Sequence, residues 1–491
     1  MNNFKNRLEK MLIVICLIYM GLITISNSVV FIIYKVFLYA IPVILVIAIL
    51  YIFVRFIKVK VLYFAVGIFI LAFVLKALVA VCFNAPPSSD FLNFYNAALK
   101  AASGDFSFAS DKYFSLWSYQ SGIVGYYAVL IKMFGSGILA LKMVNCLFIA
   151  GVSVYIYLIA RKIVSEKHAR LIALLYLFYP ATFFLASVLT NQHVSNFLIL
   201  SGVYMFINRQ KMPIKGILFS AGFIALGNAM RPQAIVVILA IVGSLLFEIV
   251  TDIRDKKTNI KLIKTIFSFL LIYIIMNQGL SFGVKQIGLN DNGLKNTFPL
   301  YKFVVGLNDK TNGTYSQEDA DQLTTIKNSK IRNEKAIRII KERLANPKTV
   351  AILIIKKQVV MWAGMDISTE WEFGYLENTG LKILGINVAY DSFIDIIQKL
   401  EKAYYIVILL AAFYGILKGH RRYNDYNKLS IITLTIIINF VVYSLIEIQP
   451  RYRDFQMIFI FIIAAIGMEL FEEIIITKIK SRHIQMSNKC G

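Results

Sequence analysis

A few residues in this chain carry groups suited to proton transfer or to holding an anion, and they lie at the ends of apolar runs. Asp90 follows Pro86, Pro87, Ser88 and Ser89, just beyond a long apolar run that ends at Phe83. The prolines stop one helix and a serine can cap the next. Asp90 then falls in the first turn, where a carboxylate suits the positive helix end. It is therefore either a helix-capping acid or a proton acceptor held at the lip of a membrane. Arg231, Arg451 and Arg453 form a second group, because a guanidinium matches phosphate oxygens in a bidentate manner. A lone arginine at a membrane boundary can also snorkel to lipid phosphates. These three fit that reading less well, since two outer turns hold them together with Glu447, Gln449, Asn191, Gln192 and His193. His193, at a helix start, reads as a hydrogen-bonder or as a site residue. Lys356 and Lys357 interrupt an apolar stretch and either rim a membrane-resting helix or hold a lipid phosphate.

The elements that must position these groups are membrane spans. The chain has 491 residues, is 58% hydrophobic and 16% charged, and long apolar runs recur from end to end, which defines a polytopic membrane protein. Its 52 basic and 28 acidic residues give a formal charge of +24. The basic residues cluster between apolar runs, so the positive-inside rule explains most of them and nucleic acid is not implied as a partner. Cysteines at 16, 82, 146 and 490 have no paired spacing and predict neither a disulfide framework nor a zinc site. The apolar run from Met11 is too long for a signal-peptide core and reads as a retained span.

Basic clusters at 5–10, 55–60, 161–170, 209–215, 254–261, 418–422 and 478–482 mark the cytosolic side, which predicts about twelve spans with both termini inside. Asp90, Arg231 and Arg451 then fall on the outer face. Asn145, Ser187, Thr190, Asn228, Asn277 and Gln278 lie in the outer parts of their spans, where an unpaired amide in lipid is costly. They imply either a hydrated cavity open to the outside or hydrogen bonds that hold the bundle together. Three regions follow: a membrane module at 1–284 with a first outer loop at 84–137, an extracytoplasmic segment at 285–400, and C-terminal spans at 401–491. Within the second, Pro347 to Trp362 is too short for a span once its lysine pair is counted. It reads as an interfacial helix with Trp362 at headgroup level and the lysines near lipid phosphates.

Several short motifs, in order, resemble the GT-C glycosyltransferases that use polyprenyl-phosphate sugars, the group containing protein O-mannosyltransferases and the lipid A aminoarabinose transferase. They are Asp90-Phe91 with Tyr95, Ala97, Ala98 and Gly104; Phe134-Gly135, Leu141-Lys142 and Asn145; Tyr157 with Ala160-Arg161; Ala169 to Leu175; Tyr179-Pro180-Ala181; Leu189-Thr190-Asn191; Arg231-Pro232; and Glu447 to Arg453. The segment 285–400 contributes little to the likeness. Many relatives carry a second acidic residue where this chain has Phe91 or Asn191-Gln192, so a divalent metal is possible in such a site but is not predicted here. The resemblance implies an all-α GT-C-like fold and transfer of a sugar from a polyprenyl-phosphate donor to a glycan, lipid or protein acceptor. Asp90 would serve as the general base. Arg231, Arg451 and Arg453, with Lys356 and Lys357, would bind the phosphate, while Glu447, Gln449, Asn191 and His193 would orient an arginine or line the sugar pocket. A lipid-linked oligosaccharide ligase or polymerase, and a non-enzymatic lipid-sugar flippase, are the alternatives. The expected location is a bacterial plasma membrane, with the active site on its outer face.

Overall fold

The computed structural model describes residues 2–251, 253–364, 368–377, 381–383, 386–419 and 426–487. Three long apolar helices open the chain: α1 (Asn2–Ile33), α2 (Phe37–Phe56) and α3 (Val61–Cys82). The first loop then folds into α4 (Ser89–Ala102), α5 (Lys112–Leu116) and α6 (Ser121–Phe134). In α4, Phe91, Phe94, Ala97, Ala98 and Ala101 recur at helical spacing and are buried, and this face packs on α6. Gly104, at a φ of 87°, ends α4 by taking the left-handed conformation that a side chain disfavours.

The next spans are α7 (Ile138–Ala160) and a bent pair, α8 (Glu166–Leu177) and α9 (Pro180–Phe184), with a bend of 55°. The bend has a local cause. Pro180 lacks an N–H and forces Tyr179 into extended backbone, at a φ of −63° and a ψ of 115°. After it come α10 (Gln192–Ile207), α11 (Pro213–Met230), α12 (Ala234–Thr251) and α13 (Lys256–Gln286). The segment that follows holds α14 (Leu300–Gly306), α15 (Gln317–Thr324), α16 (Ser329–Leu344), α17 (Pro347–Ala363) and α18 (Ser368–Phe373). Ser316, Asn328 and Asn346 cap α15, α16 and α17 by accepting from backbone N–H groups of the first turn. A two-stranded antiparallel hairpin, β1 (Leu381–Ile383) with β2 (Ile386–Val388), precedes α19 (Tyr390–Gly419), α20 (Tyr426–Leu445) and α21 (Arg453–Ser487).

Among the described residues eight helices are long and apolar enough to cross a membrane: α1, α2, α3, α7, α11, α12, α13 and α19. Counting the bent pair α8 and α9 as one span makes nine. The chain is an all-α polytopic membrane protein, the short hairpin aside. The expectation of about twelve spans is higher than this count. α10 has only 16 residues, because the polar run Thr190 to His193 shortens its apolar part, and α20 contributes a short apolar stretch, Leu429–Leu445. α21 forms the axis of the bundle, with every residue from Phe455 to Ile466 buried against α8, α19 and α20. By contrast, only 11% of the apolar window is buried in α2 and in α13, which places both at the lipid-facing edge.

The start of α21 and its turn at Glu472 differ in chemistry. Glu472 meets His168 at 2.8 Å and pairs with Lys167, while Arg170 donates to the carbonyls of Ile57 at 2.6 Å and Val59 at 2.7 Å, so the basic cluster at 161–170 gathers at this level of the bundle. Arg451 and Arg453 stand at the start of α21, about 28 Å from Glu472 along a helix rising 1.5 Å per residue.

Candidate active site

A cavity of about 300 Å³ opens between the first loop, the turns after α9 and α11, α14, and the turn between α20 and α21. Asp90, Asn191, Arg231, Lys302, Glu447 and Arg451 line it, among the rings of Phe91, Phe94, Tyr119, Phe303, Tyr443 and Tyr452. Residues separated by as many as 362 positions, Asp90 and Tyr452, thus share one wall system. The chain assembles this site from turns, the parts of each span pair that point the same way.

Asp90 is half-buried in the first turn of α4, beside Ser89, which is held at a φ of 48°. A non-glycine residue in that left-handed region costs on the order of 1–2 kcal/mol. The cost goes into setting the angle at which α4 leaves Pro87. The capping position is Ser88, whose side chain makes no cap bond. Burial, together with the nearby Asp90 carboxylate, raises the Tyr113 phenol well above its ordinary pKa, so it stays protonated.

Arg451 is 9% exposed and sits among aromatic rings, its guanidinium carbon 5.1 Å from the Phe91 centroid, 5.1 Å from Trp371 and 6.0 Å from Tyr452. Its Nε donates to Gln449 Oε1 at 2.7 Å, whereas one terminal nitrogen has no hydrogen-bond partner among the described residues. Arg231 lies 5.1 Å over Tyr452 and donates to Asn191 Oδ1 at 3.3 Å, while Asn191 donates to the Met230 carbonyl at 3.0 Å. Lys302 pairs with Glu447, and Gln449 donates to that same carboxylate at 3.1 Å. Burial works against the Lys302 charge, but Tyr452 and Glu447 outweigh it and raise the lysine pKa. The result is a site with one half-buried carboxylate, two guanidiniums that keep donors to spare, and a neutralised lysine-glutamate pair.

Other expected site residues lie elsewhere. Arg453 is buried outside the cavity, paired with Glu401 at 3.1 Å and donating to the Trp362 and Met361 carbonyls at 3.2 and 3.4 Å. Its work is to cap the end of α17. Lys357 is fully buried and donates to the carbonyls of Ile446 at 2.7 Å, Gly306 at 2.8 Å and Ser444 at 3.1 Å, so it faces backbone rather than lipid. Trp362 is also fully buried, against Tyr19 and Tyr405, which corrects the expected position at headgroup level. Lys356 is exposed on the far face of α17. His193 is buried with Nε2 at 3.2 Å from the Leu185 carbonyl, and Gln449 reaches the site only through Glu447 and Arg451. Of the outer polar residues, Asn145 donates to Thr190 O at 3.2 Å and Asn228 to Asn277 at 3.3 Å, bonds that join helices rather than line the cavity.

Residues 124–276 match the family described as dolichyl-phosphate-mannose-protein mannosyltransferase. The likeness runs from α6 to α13 and contains Asn191 and Arg231, while Asp90, Lys302, Glu447 and Arg451 lie outside it. This part of the chain is therefore a membrane region similar to mannosyltransferases of that family. No curated protein shows significant similarity to the chain. Sequence reasoning missed Lys302, Tyr113, Tyr119, Tyr452 and Trp371. For Lys302 the only available signal was a lysine in a polar segment with no spacing to a partner. Among the described residues no group of three or more His, Cys, Asp or Glu side chains stands together as a metal site.

Proposed function

We propose that this protein is a membrane glycosyltransferase that moves one sugar from a polyprenyl-phosphate donor to an acceptor hydroxyl on the outer side of a bacterial plasma membrane. The observation that carries the reading is the meeting of Asp90 with Arg231 and Arg451 in one cavity. The acceptor oxygen attacks the anomeric carbon and its proton passes to the Asp90 carboxylate. The bond from that carbon to the phosphate oxygen breaks, and the phosphate leaves with the electron pair. Arg451 and Arg231 take up the charge that develops on it, work that oriented cations do in a site with little water. Asn191 orients Arg231, and Gln449 orients Arg451.

The cavity volume of about 300 Å³ suits one sugar with its phosphate and leaves little room for a lipid-linked oligosaccharide. The isoprenoid tail stays in lipid, so only the polar head has to enter. The similarity of residues 124–276 to mannosyltransferases that use a lipid-phosphate sugar supports the donor class. The acceptor is a cell-envelope glycan, lipid or protein.

The test is Asp90→Asn in a reconstituted system with a radiolabelled polyprenyl-phosphate sugar. Transfer is expected to fall by about 10²–10⁴-fold, with donor binding and protein yield unchanged. Transfer at the normal rate would remove Asp90 as the base. Movement of the lipid-linked sugar across the bilayer without a new glycosidic bond would replace the enzyme with a flippase.

A further inference from the structure

Arg451 is held in an unusual way for a buried cation. Its side-chain hydrogen bond goes to a neutral amide, Gln449, and three aromatic rings stand within about 6 Å of its guanidinium carbon. A carboxylate partner would neutralise the charge and occupy its forked donors. Rings attract the cation through their quadrupole and consume no N–H. The arrangement leaves a guanidinium in the cavity wall with its charge intact and, among the described residues, one buried terminal nitrogen without a hydrogen-bond partner.

Trp371 is the unexpected member of this cage. It belongs to α18, in the segment 285–400 where the sequence offered only Lys356 and Lys357 as phosphate binders, and it is not one of the cavity-lining residues. Its ring packs on Phe91 at 5.3 Å and 66°, and Phe91 is the chain neighbour of Asp90. Trp371 therefore joins the helix that carries the carboxylate to the residue that carries the cation.

We propose that Trp371 is a positioning residue that fixes the Arg451 guanidinium plane for a lipid phosphate without spending any of its donors. This rests on the transferase reading and deepens it, by assigning α18 to the phosphate subsite. It predicts that aromatic character at position 371, rather than volume, sets affinity for the phosphate headgroup.

The test measures equilibrium binding of undecaprenyl phosphate to the full chain in lipid nanodiscs. Trp371→Leu is expected to weaken binding about tenfold, the size of a partly desolvated cation–π contact. Trp371→Phe should recover most of the loss. In an Arg451→Gln background, Trp371→Leu should have no further effect. Wild-type binding retained by Trp371→Leu would overturn this proposal and leave the transferase reading standing. Equal losses in Trp371→Leu and Trp371→Phe, with a lowered melting temperature in both, would also overturn it, by showing a role in packing alone. Failure of the wild-type chain to bind any polyprenyl phosphate would reject the transferase reading itself.

Discussion

Two arginines two positions apart, Arg451 and Arg453, have the same chemistry and opposite uses. Arg451 lines the cavity and leaves one terminal nitrogen unpartnered among the described residues, while Arg453 spends its own donors on Glu401 and on the carbonyls that end α17. Removing one partner of a buried, hydrogen-bonded pair strands the other charge and costs about 3–5 kcal/mol. Arg453→Met is accordingly expected to lower the thermal unfolding midpoint and the amount of protein in the membrane. Arg451→Met should leave both near wild type while abolishing transfer. Melting curves in detergent, with transfer assays on the same preparations, check the pair. Equal stability losses in both variants would contradict the division of labour.

At the scale of elements, the cavity depends on how α14 meets the end of α20. Glu447 N–H donates to the Lys302 carbonyl at 2.9 Å and Ile448 N–H to the Gly313 carbonyl at 2.9 Å, so the two segments are joined through backbone. A Cβ at Gly306 would lie 2.2 Å from the Ile446 carbonyl carbon, which is why only glycine allows this approach. Lys357 bonds three carbonyls of the same junction from beneath. Lys357→Met would leave those acceptors buried without a donor, at about 1–3 kcal/mol for each group left unsatisfied. The expected phenotype is a less stable protein whose residual transfer shows a raised KM for the donor, because Lys302 and Glu447 lose their seat. A kinetic series on Lys357→Met and Lys357→Arg tests this, and an unchanged KM in the methionine variant would refute it.

At the scale of the molecule, the cavity stands at the start of α21 and the basic cluster at 161–170 packs beside Glu472, about 28 Å further along by helix rise and close to the thickness of a bilayer core. With the positive-inside rule this supports the proposed reading in which the cavity faces outward. In a cysteine-free background, Lys341→Cys on α16 should react with a membrane-impermeant maleimide in intact cells, and Lys211→Cys between α10 and α11 only after permeabilisation. The reverse pattern would turn the protein over and remove the outer-face reading. The chain by itself determined the class of molecule, most of the spans and the candidate carboxylate, because apolar length, basic clusters and the Pro-Pro-Ser-Ser-Asp turn are local signals that lipid and helix geometry impose wherever they occur. Tertiary structure alone decided which polar residues meet. It separated Arg451 from Arg453, withdrew Lys357 and Trp362 into the interior, and brought in Lys302 and Trp371, since such meetings depend on how turns converge across hundreds of residues and leave no periodicity in the chain.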